Sequence, residues 1–156
     1  MARDHARMLV SIWGDEDWKR LPANAQRAYT LALSQPGVSW AGVVPYQPGR
    51  WSNLAADTSV AAIKRAVTVL AERRFVVVDQ ATEELFIRTF VKNDNVLRFP
   101  NVAINMARAY SQIASPVIRK AFLIELRRLA DLPETRDLKG WEMPEVAALL
   151  AEGIKR

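Results

Sequence analysis

The chain has 156 residues, half of them hydrophobic and a quarter charged, which is the composition of one folded domain rather than of a disordered segment. It has no cysteine and a single histidine, His5, so disulfides, thiolate metal centres, cysteine nucleophiles and most Ser-His-acid sites are excluded. We therefore expect a protein that is not an enzyme and has no catalytic residue, no cofactor and no metal site.

The excess of basic residues is concentrated in the middle of the chain. Residues 58–130 contain twelve basic and six acidic side chains, a balance of +6, within a chain whose net charge is +5. A basic block of this kind favours a polyanionic partner such as nucleic acid, although ordinary solvated helix faces would give the same excess. The first ten residues mix both charges and contain no long apolar run, so we expect a cytoplasmic protein with no membrane partner.

The first third of the chain predicts short elements around one longer helix. Residues 8–13 are expected to form a short strand, and Asp15 to cap a helical turn whose carboxylates, Glu16 and Asp17, favour the helix dipole over acid–base chemistry. Residues 22–34 predict a helix with Pro22 in its first turn, ended by Pro36 and Gly37. A short strand at residues 42–45 and a short helix at 51–56 follow.

The middle of the chain predicts a capped helix followed by a β-hairpin. Thr58 or Ser59 is expected to cap a helix over residues 59–73. The apolar positions of that helix recur at helical spacing and are Val60, Ile63, Val67 and Leu70. The runs FVVVD and LFIRTFV, separated by the polar turn QATEE, predict a hairpin over residues 75–91.

The rest of the chain is expected to be helical. Residues 101–113 predict one helix, Ser115 and Pro116 open a second that runs to about Ala130, and residues 144–154 predict a third. The polar stretch at 131–143 is interpreted as a linker. Among the tryptophans, Trp13, Trp18 and Trp51 are expected to face inward, and Trp40 and Trp141 to be exposed.

The order helix, strand, short helix, longer helix and hairpin is that of a winged helix-turn-helix domain. The predicted fold class is therefore mainly α with a small β-hairpin: a winged helix-turn-helix domain at residues 8–92, followed by a helical C-terminal extension at 93–156. Residues 51–56 would be the positioning helix and residues 59–73 the recognition helix, with the hairpin as the wing.

Five stretches also carry a family resemblance: WGDEDWKRL, AGVVPYQPGRWSNLA, KRAVTVLAERRFVVVD, ELFIRTFVKNDNV and PNVAINMARAYSQIASPVIRKAFLIEL. With them the chain, from about residue 11 to residue 129, resembles the helix-turn-helix DNA-binding and replication-associated proteins of actinobacterial phages and prophages. These proteins are similar to the winged-helix N-terminal domains of phage replisome organisers. The resemblance implies double-stranded DNA binding in replication initiation or transcriptional regulation, inside a bacterial host cell.

The predicted DNA contacts come from the recognition helix and its surroundings. The residues expected to read bases or hold phosphates are Ser59, Ala61, Lys64, Arg65 and Thr68. Arg50, Arg73 and Arg74 are expected to contact phosphates or to form intramolecular pairs, and Arg88 and Lys92 to approach the DNA backbone from the second strand.

Two features leave alternatives open. The wing tip, QATEE, has two carboxylates and no base, which favours either a wing withdrawn from DNA or a winged-helix protein–protein interaction module without direct DNA readout. Four basic residues share one side of the helix after Ser115 and form either a second DNA surface or a solvated face: Arg119, Lys120, Arg127 and Arg128. The C-terminal helices would serve a homodimer or bind a replication or transcription protein.

Overall fold

The computed structural model describes residues 3–155, which are mainly helical and include a three-stranded antiparallel sheet. This confirms the prediction of a mainly α chain with a small β-hairpin. The strands are β1 (Val43–Pro45), β2 (Val76–Asp79) and β3 (Glu84–Ile87). The α-helices are α1 (Glu16–Lys19), α2 (Ala23–Leu33), α3 (Pro48–Trp51), α4 (Val60–Glu72), α5 (Phe90–Asn93), α6 (Pro100–Ser111), α7 (Pro116–Ala130) and α8 (Pro144–Lys155).

Strand β3 lies in the middle of the sheet, with β1 on one side and β2 on the other. Phe86 of β3 is the partner of Val43 on β1 and of Val77 on β2. The side chains of Leu85, Phe86 and Ile87 are buried, because the sheet is covered by helices. The short segment before α3 is thereby tied to the hairpin more than 40 residues later.

Helix α4 packs on α2 and α3 and ends in a defined turn. Its buried residues are Ile63, Ala66, Val67 and Leu70. The Ser59 hydroxyl caps its start by accepting a hydrogen bond from the Ala62 amide at 3.1 Å. At its end Arg74 adopts a left-handed φ of 64°, and the Phe75 amide donates to the Leu70 carbonyl at 2.9 Å. This Schellman-type turn directs the chain from α4 into β2.

Helix α7 packs on β2 and β3 of the hairpin. The Phe122 ring lies 5.9 Å from the Phe86 ring and 5.3 Å from the Tyr110 ring of α6, measured between centroids. Buried residues from both the 8–92 and the 93–156 segments belong to one hydrophobic cluster. The second half of the chain therefore completes the core that the first half begins.

In the first third of the chain, two predicted elements and the predicted orientation of one side chain differ from the structure. Residues 8–13 do not form a strand: Val10–Gly14 is a short 3-10 helix, closed by local bonds such as Asp15 N–H to Ile12 O at 3.0 Å. Trp13 is 61% exposed rather than inward-facing. The short helix predicted at 51–56 is instead α3 followed by a 3-10 turn, Ser52–Leu54, because Pro48 starts the helix earlier.

The remaining differences concern ends of elements and the expected linker. Val60 is 40% exposed, so the inward stripe of α4 begins at Ile63. The second strand ends at Ile87, and residues 90–93 turn into α5 with Phe90 buried. Residues 131–143 are packed as two 3-10 helices, Pro133–Thr135 and Lys139–Glu142, and the Trp141 indole donates to the Thr135 carbonyl at 2.8 Å. Trp40 and Trp141 are half-buried rather than exposed.

Substitution of Gly42 by alanine tests the close approach of β1 to α5. Gly42 has a φ of +80°, and an added Cβ would lie 2.5 Å from the Phe90 Cβ. We expect Gly42→Ala to lower the free energy of unfolding by about 2–4 kcal/mol in urea denaturation. Gly14→Ala is the control, since a Cβ there meets no atom within 4 Å. An equal loss in both variants would contradict this explanation.

Candidate nucleic-acid interface

The exposed side of α4, here called the α4 face, is formed by five polar, basic or small residues. Taking about 100° per residue, the four on the helix itself lie within an arc of about 100°. No acidic residue occurs on α4 before Glu72. The α4 face consists of Ser59, Ala61, Lys64, Arg65 and Thr68, all exposed.

The cations of the α4 face have no ion-pair partner among the described residues. Lys64 and Arg65 form no ion pair with any residue between positions 3 and 155. The Thr68 hydroxyl, by contrast, donates to the Lys64 carbonyl at 2.9 Å, so its proton is already committed to the helix. The Ser59 hydroxyl accepts from Ala62 and keeps its own proton to donate. Lys64, Arg65 and Ser59 are therefore the donors that this face offers.

Two further arginines lie on the helices that pack against α4. Arg50 is inside α3 rather than before it; it is exposed, and its Nη1 lies 3.5 Å from Gln47 Oε1. Arg27 of α2 was missed by the sequence interpretation, and its Nη2 lies 3.5 Å from the Leu54 carbonyl, beside the turn that leads to α4. The helical spacing of the sequence predicts that Arg27 is exposed on α2. Its proximity to the turn before α4 could not be predicted, because Leu54 follows 27 residues later.

A second group of basic residues lies at the other end of α4, about 20 Å from Ser59 along the helix. It lines a groove of about 240 Å³, here called the hairpin groove. The basic residues of this groove are Arg73, Arg74, Arg88, Lys92 and Arg128. The structure thus separates the predicted DNA contacts into two surfaces, and it brings one predicted member of the C-terminal set, Arg128, into the second.

Arg88 is engaged inside the protein. Its Nη1 lies 2.7 Å from Glu125 Oε1, and its Nε donates to the Arg74 carbonyl at 2.5 Å. The other oxygen of Glu125 accepts from Arg128 at 3.0–3.1 Å. The expected approach of Arg88 to a DNA backbone is therefore replaced by an ion pair between β3 and α7. Lys92 is exposed, with its Nζ 3.9 Å from Glu134.

The acidic tip of the hairpin is bound to the start of α7. The Glu84 carboxylate accepts hydrogen bonds from the amides of Ala114, at 3.1 Å, and Ser115, at 2.8 Å. Asp79 accepts from the Ser115 hydroxyl at 2.6 Å, and that hydroxyl also caps α7 at the Ile118 amide. Negative charge at a helix N-terminus is favourable. The carboxylates of Asp79 and Glu84 are thus bound within the protein, whereas Glu83, the other carboxylate of the tip, is exposed.

The four basic residues predicted to share one side of α7 have different surroundings. The Arg119 guanidinium lies 4.8 Å from the centre of the Tyr110 ring, and Arg128 binds Glu125. Lys120 and Arg127 are exposed between them. These residues therefore do not act as one uniform surface.

Metal-binding and membrane-spanning features are absent from the part of the chain that the structure describes. Within residues 3–155, His, Asp and Glu side chains form no group of three that could hold a metal ion. No described helix combines the length and the apolar composition needed to cross a bilayer.

Removal of Glu125 tests the ion pair between the hairpin and α7. Glu125 has a side chain that is 12% exposed and balances two arginines, so its loss removes the ion-pair partner of Arg88 and leaves that residue only its bond to the Arg74 carbonyl. We expect Glu125→Ala to lower the free energy of unfolding by about 1–3 kcal/mol. Glu134→Ala is the control: that carboxylate is 61% exposed, and its loss should change stability by less than about 0.5 kcal/mol. Similar losses would show that Glu125 is no more than a surface charge.

The contact between Asp79 and Ser115 predicts a dependence of stability on pH. The donated hydroxyl of Ser115 lowers the pKa of Asp79 below its ordinary value. A carboxyl with a lower pKa in the folded chain stabilises it fully above the unfolded pKa of about 3.9, and this stabilisation is lost as the pH falls through the folded pKa.

We therefore expect wild type to be more stable than Asp79→Asn at neutral pH, and the difference to shrink below about pH 4. Urea unfolding of both proteins across that range measures the effect. A difference that stays constant down to about pH 2 would mean that the charge of Asp79 contributes nothing.

Comparison of the chain with protein-family models, with curated proteins and with solved structures found no match. The interpretation of the α4 face and the hairpin groove therefore depends on their residues, charges and contacts.

Proposed function

We propose that the chain is a winged helix-turn-helix protein that binds double-stranded DNA with the α4 face in the major groove. The observation that carries the proposal is the pair of exposed cations, Lys64 and Arg65, which form no ion pair within residues 3–155 and lie on a helix that two other helices brace. An exposed helix of this kind fits the major groove, where Arg and Lys bind guanine edges. The β1-β3-β2 sheet order and the preceding short α3 are consistent with this fold.

Phosphate contacts would flank the readout helix. Ser59 at the start of α4 can donate its hydroxyl proton, and Arg50 and Arg27 add positive charge on the two helices that pack against α4. At the far end, Arg73 and Arg74 are exposed in the hairpin groove. Affinity for any duplex would then fall with increasing salt, because each neutralised phosphate releases counterions.

The biological role that we propose is replication initiation or transcriptional regulation in a phage or prophage. This part rests on the family resemblance of the five sequence stretches. An origin-binding protein and a repressor would both use the α4 face, and the genomic position of the bound sequence distinguishes them.

One observation favours the alternative of a protein–protein interaction module. The hairpin tip is bound to α7 and carries no basic residue, so the hairpin offers no cation to a minor groove at its tip. If α4 binds no DNA, the fold would serve a protein partner instead.

Substitution of both α4 cations tests the proposed readout. After a binding sequence has been enriched from a random duplex library, we expect Lys64→Ala with Arg65→Ala to weaken specific binding by about 1–3 kcal/mol for each base that the variant no longer reads. Fluorescence anisotropy against the enriched and a scrambled duplex, at several salt concentrations, measures specificity and salt slope together.

The matched control removes the same charge elsewhere. Arg136 and Lys139 are exposed and form no ion pair with any described residue. Their double alanine variant should reduce binding to both duplexes alike and preserve the preference between them. If the α4 variant retained the full preference, the α4 face would not be the readout surface. Absence of binding by the wild type at low salt would favour the interaction module.

A further inference from the structure

Helix α7 exposes a row of residues on the side opposite the hairpin. The row, here called the α7 row, consists of Val117, Lys120, Ile124 and Arg127, which recur at spacings of three and four and so lie on one side of the helix. Val117 is 60% exposed and Ile124 is 57% exposed, although both are large apolar side chains. Ile154 of the neighbouring α8 is 66% exposed.

A cleft of about 270 Å³ adjoins this row, between α7 and α8. Its lining includes the apolar side chains of Leu123 and Ile124. Gly153 leaves space on the α8 side, because a Cβ there would lie 3.5 Å from the Leu123 Cβ. The cleft has room for one large apolar side chain, since a water molecule occupies only about 30 Å³. The lining residues are Lys120, Leu123, Ile124, Arg127 and Gly153.

Among the described residues that line the cleft, the two charged side chains are both positive. Lys120 and Arg127 both line it, seven residues or about 10.5 Å apart along α7. No carboxylate belongs to its lining. The nearest carboxylate to Arg127 in an ion pair is that of Asp131, at 3.9 Å, and both side chains are more than half exposed, so this pair is weak.

This charge pattern disfavours a second copy of the chain on the α7 row. In a two-fold contact with parallel helices centred on Ile124, Lys120 would meet Lys120 and Arg127 would meet Arg127. With antiparallel helices, Lys120 would lie opposite Arg127 and Arg128. Like charges face each other in both arrangements, which is destabilising.

We propose that the α7 row and its cleft bind an amphipathic helix of another protein. The partner helix inserts an apolar side chain into the cleft and places carboxylates about one heptad apart against Lys120 and Arg127. The apolar anchor supplies the affinity, and the paired charges select an acidic partner. This surface is on α7 and α8, away from the α4 face, so it does not depend on the proposed DNA binding.

A designed peptide tests the proposal with the full chain. The acidic probe is an alanine-rich helical peptide with a central Phe, one Glu three residues before it and another four residues after it. Two matched probes replace both Glu by Lys, or the Phe by Ser. Circular dichroism first establishes that all proteins are equally folded. Titrations by fluorescence anisotropy at physiological salt then compare three proteins: the wild type, the double variant Lys120→Glu/Arg127→Glu, and the control double variant Arg136→Glu/Lys139→Glu.

We expect the acidic probe to bind wild type and the control variant alike. Charge reversal at positions 120 and 127 should weaken it about tenfold or more and should transfer the preference to the Lys probe. Replacing the Phe should also weaken binding about tenfold or more. Lys64→Ala with Arg65→Ala should leave peptide affinity unchanged, which separates this proposal from the DNA readout.

Three outcomes would overturn it. The first is no binding of the acidic probe to wild type. The second is equal binding to the charge-reversed and the control variants, or equal binding of the Phe and Ser probes. The third is a concentration-dependent dimer in sedimentation that Ile124→Asp dissociates, because the row would then be an interface between two copies.

Discussion

The contact between the hairpin and α7 is the constraint on which the rest of the fold depends. At one end, Asp79 and Glu84 bind the hydroxyl and amides at the start of α7. At the other, Arg88 binds Glu125 on the same helix. Between these two points the Phe86 and Phe122 rings pack together. The charged or polar pairs at both ends fix the register of the hairpin along α7. The apolar contact between them adds the stabilisation that comes from burial.

This arrangement gives two sides of the molecule different chemistry. The Asp79 and Glu84 carboxylates and the Arg88 guanidinium are engaged in the contact with α7. Lys64 and Arg65 on α4 are exposed and form no ion pair within residues 3–155. Helix α7 has one side packed on the sheet, and its opposite side exposes Val117 and Ile124 beside Lys120 and Arg127. The two outward surfaces therefore differ in chemistry: one is polar and basic, and the other is apolar with basic edges.

Local signals in the sequence predicted much of this structure. The caps at Asp15, Ser59 and Ser115, the hairpin turn and the mainly helical second half are confirmed, because each depends on residues within one or two turns of one another. The failures involve distant partners or competing local choices. Residues 8–13 have a strand-like composition, but local backbone hydrogen bonds fold Val10–Gly14 into a 3-10 helix instead. The engagement of Arg88 was not predictable, since Glu125 follows 37 residues later.

The candidate site was predictable in part for the same reason. Exposure of Lys64 and Arg65 follows from the spacing of the buried residues on α4, whereas the grouping of Arg73, Arg74 and Arg128 in one groove follows only from the packing of α7. That packing also bears on how the chain can be divided. A fragment ending at residue 92 would keep the elements of the proposed winged helix but would leave the Phe86 ring without Phe122, and Asp79 and Glu84 without the donors at the start of α7. A gene segment that encodes residues 8–92 would therefore transfer the proposed DNA-binding domain intact only if it also encoded α7, because α7 supplies these contacts.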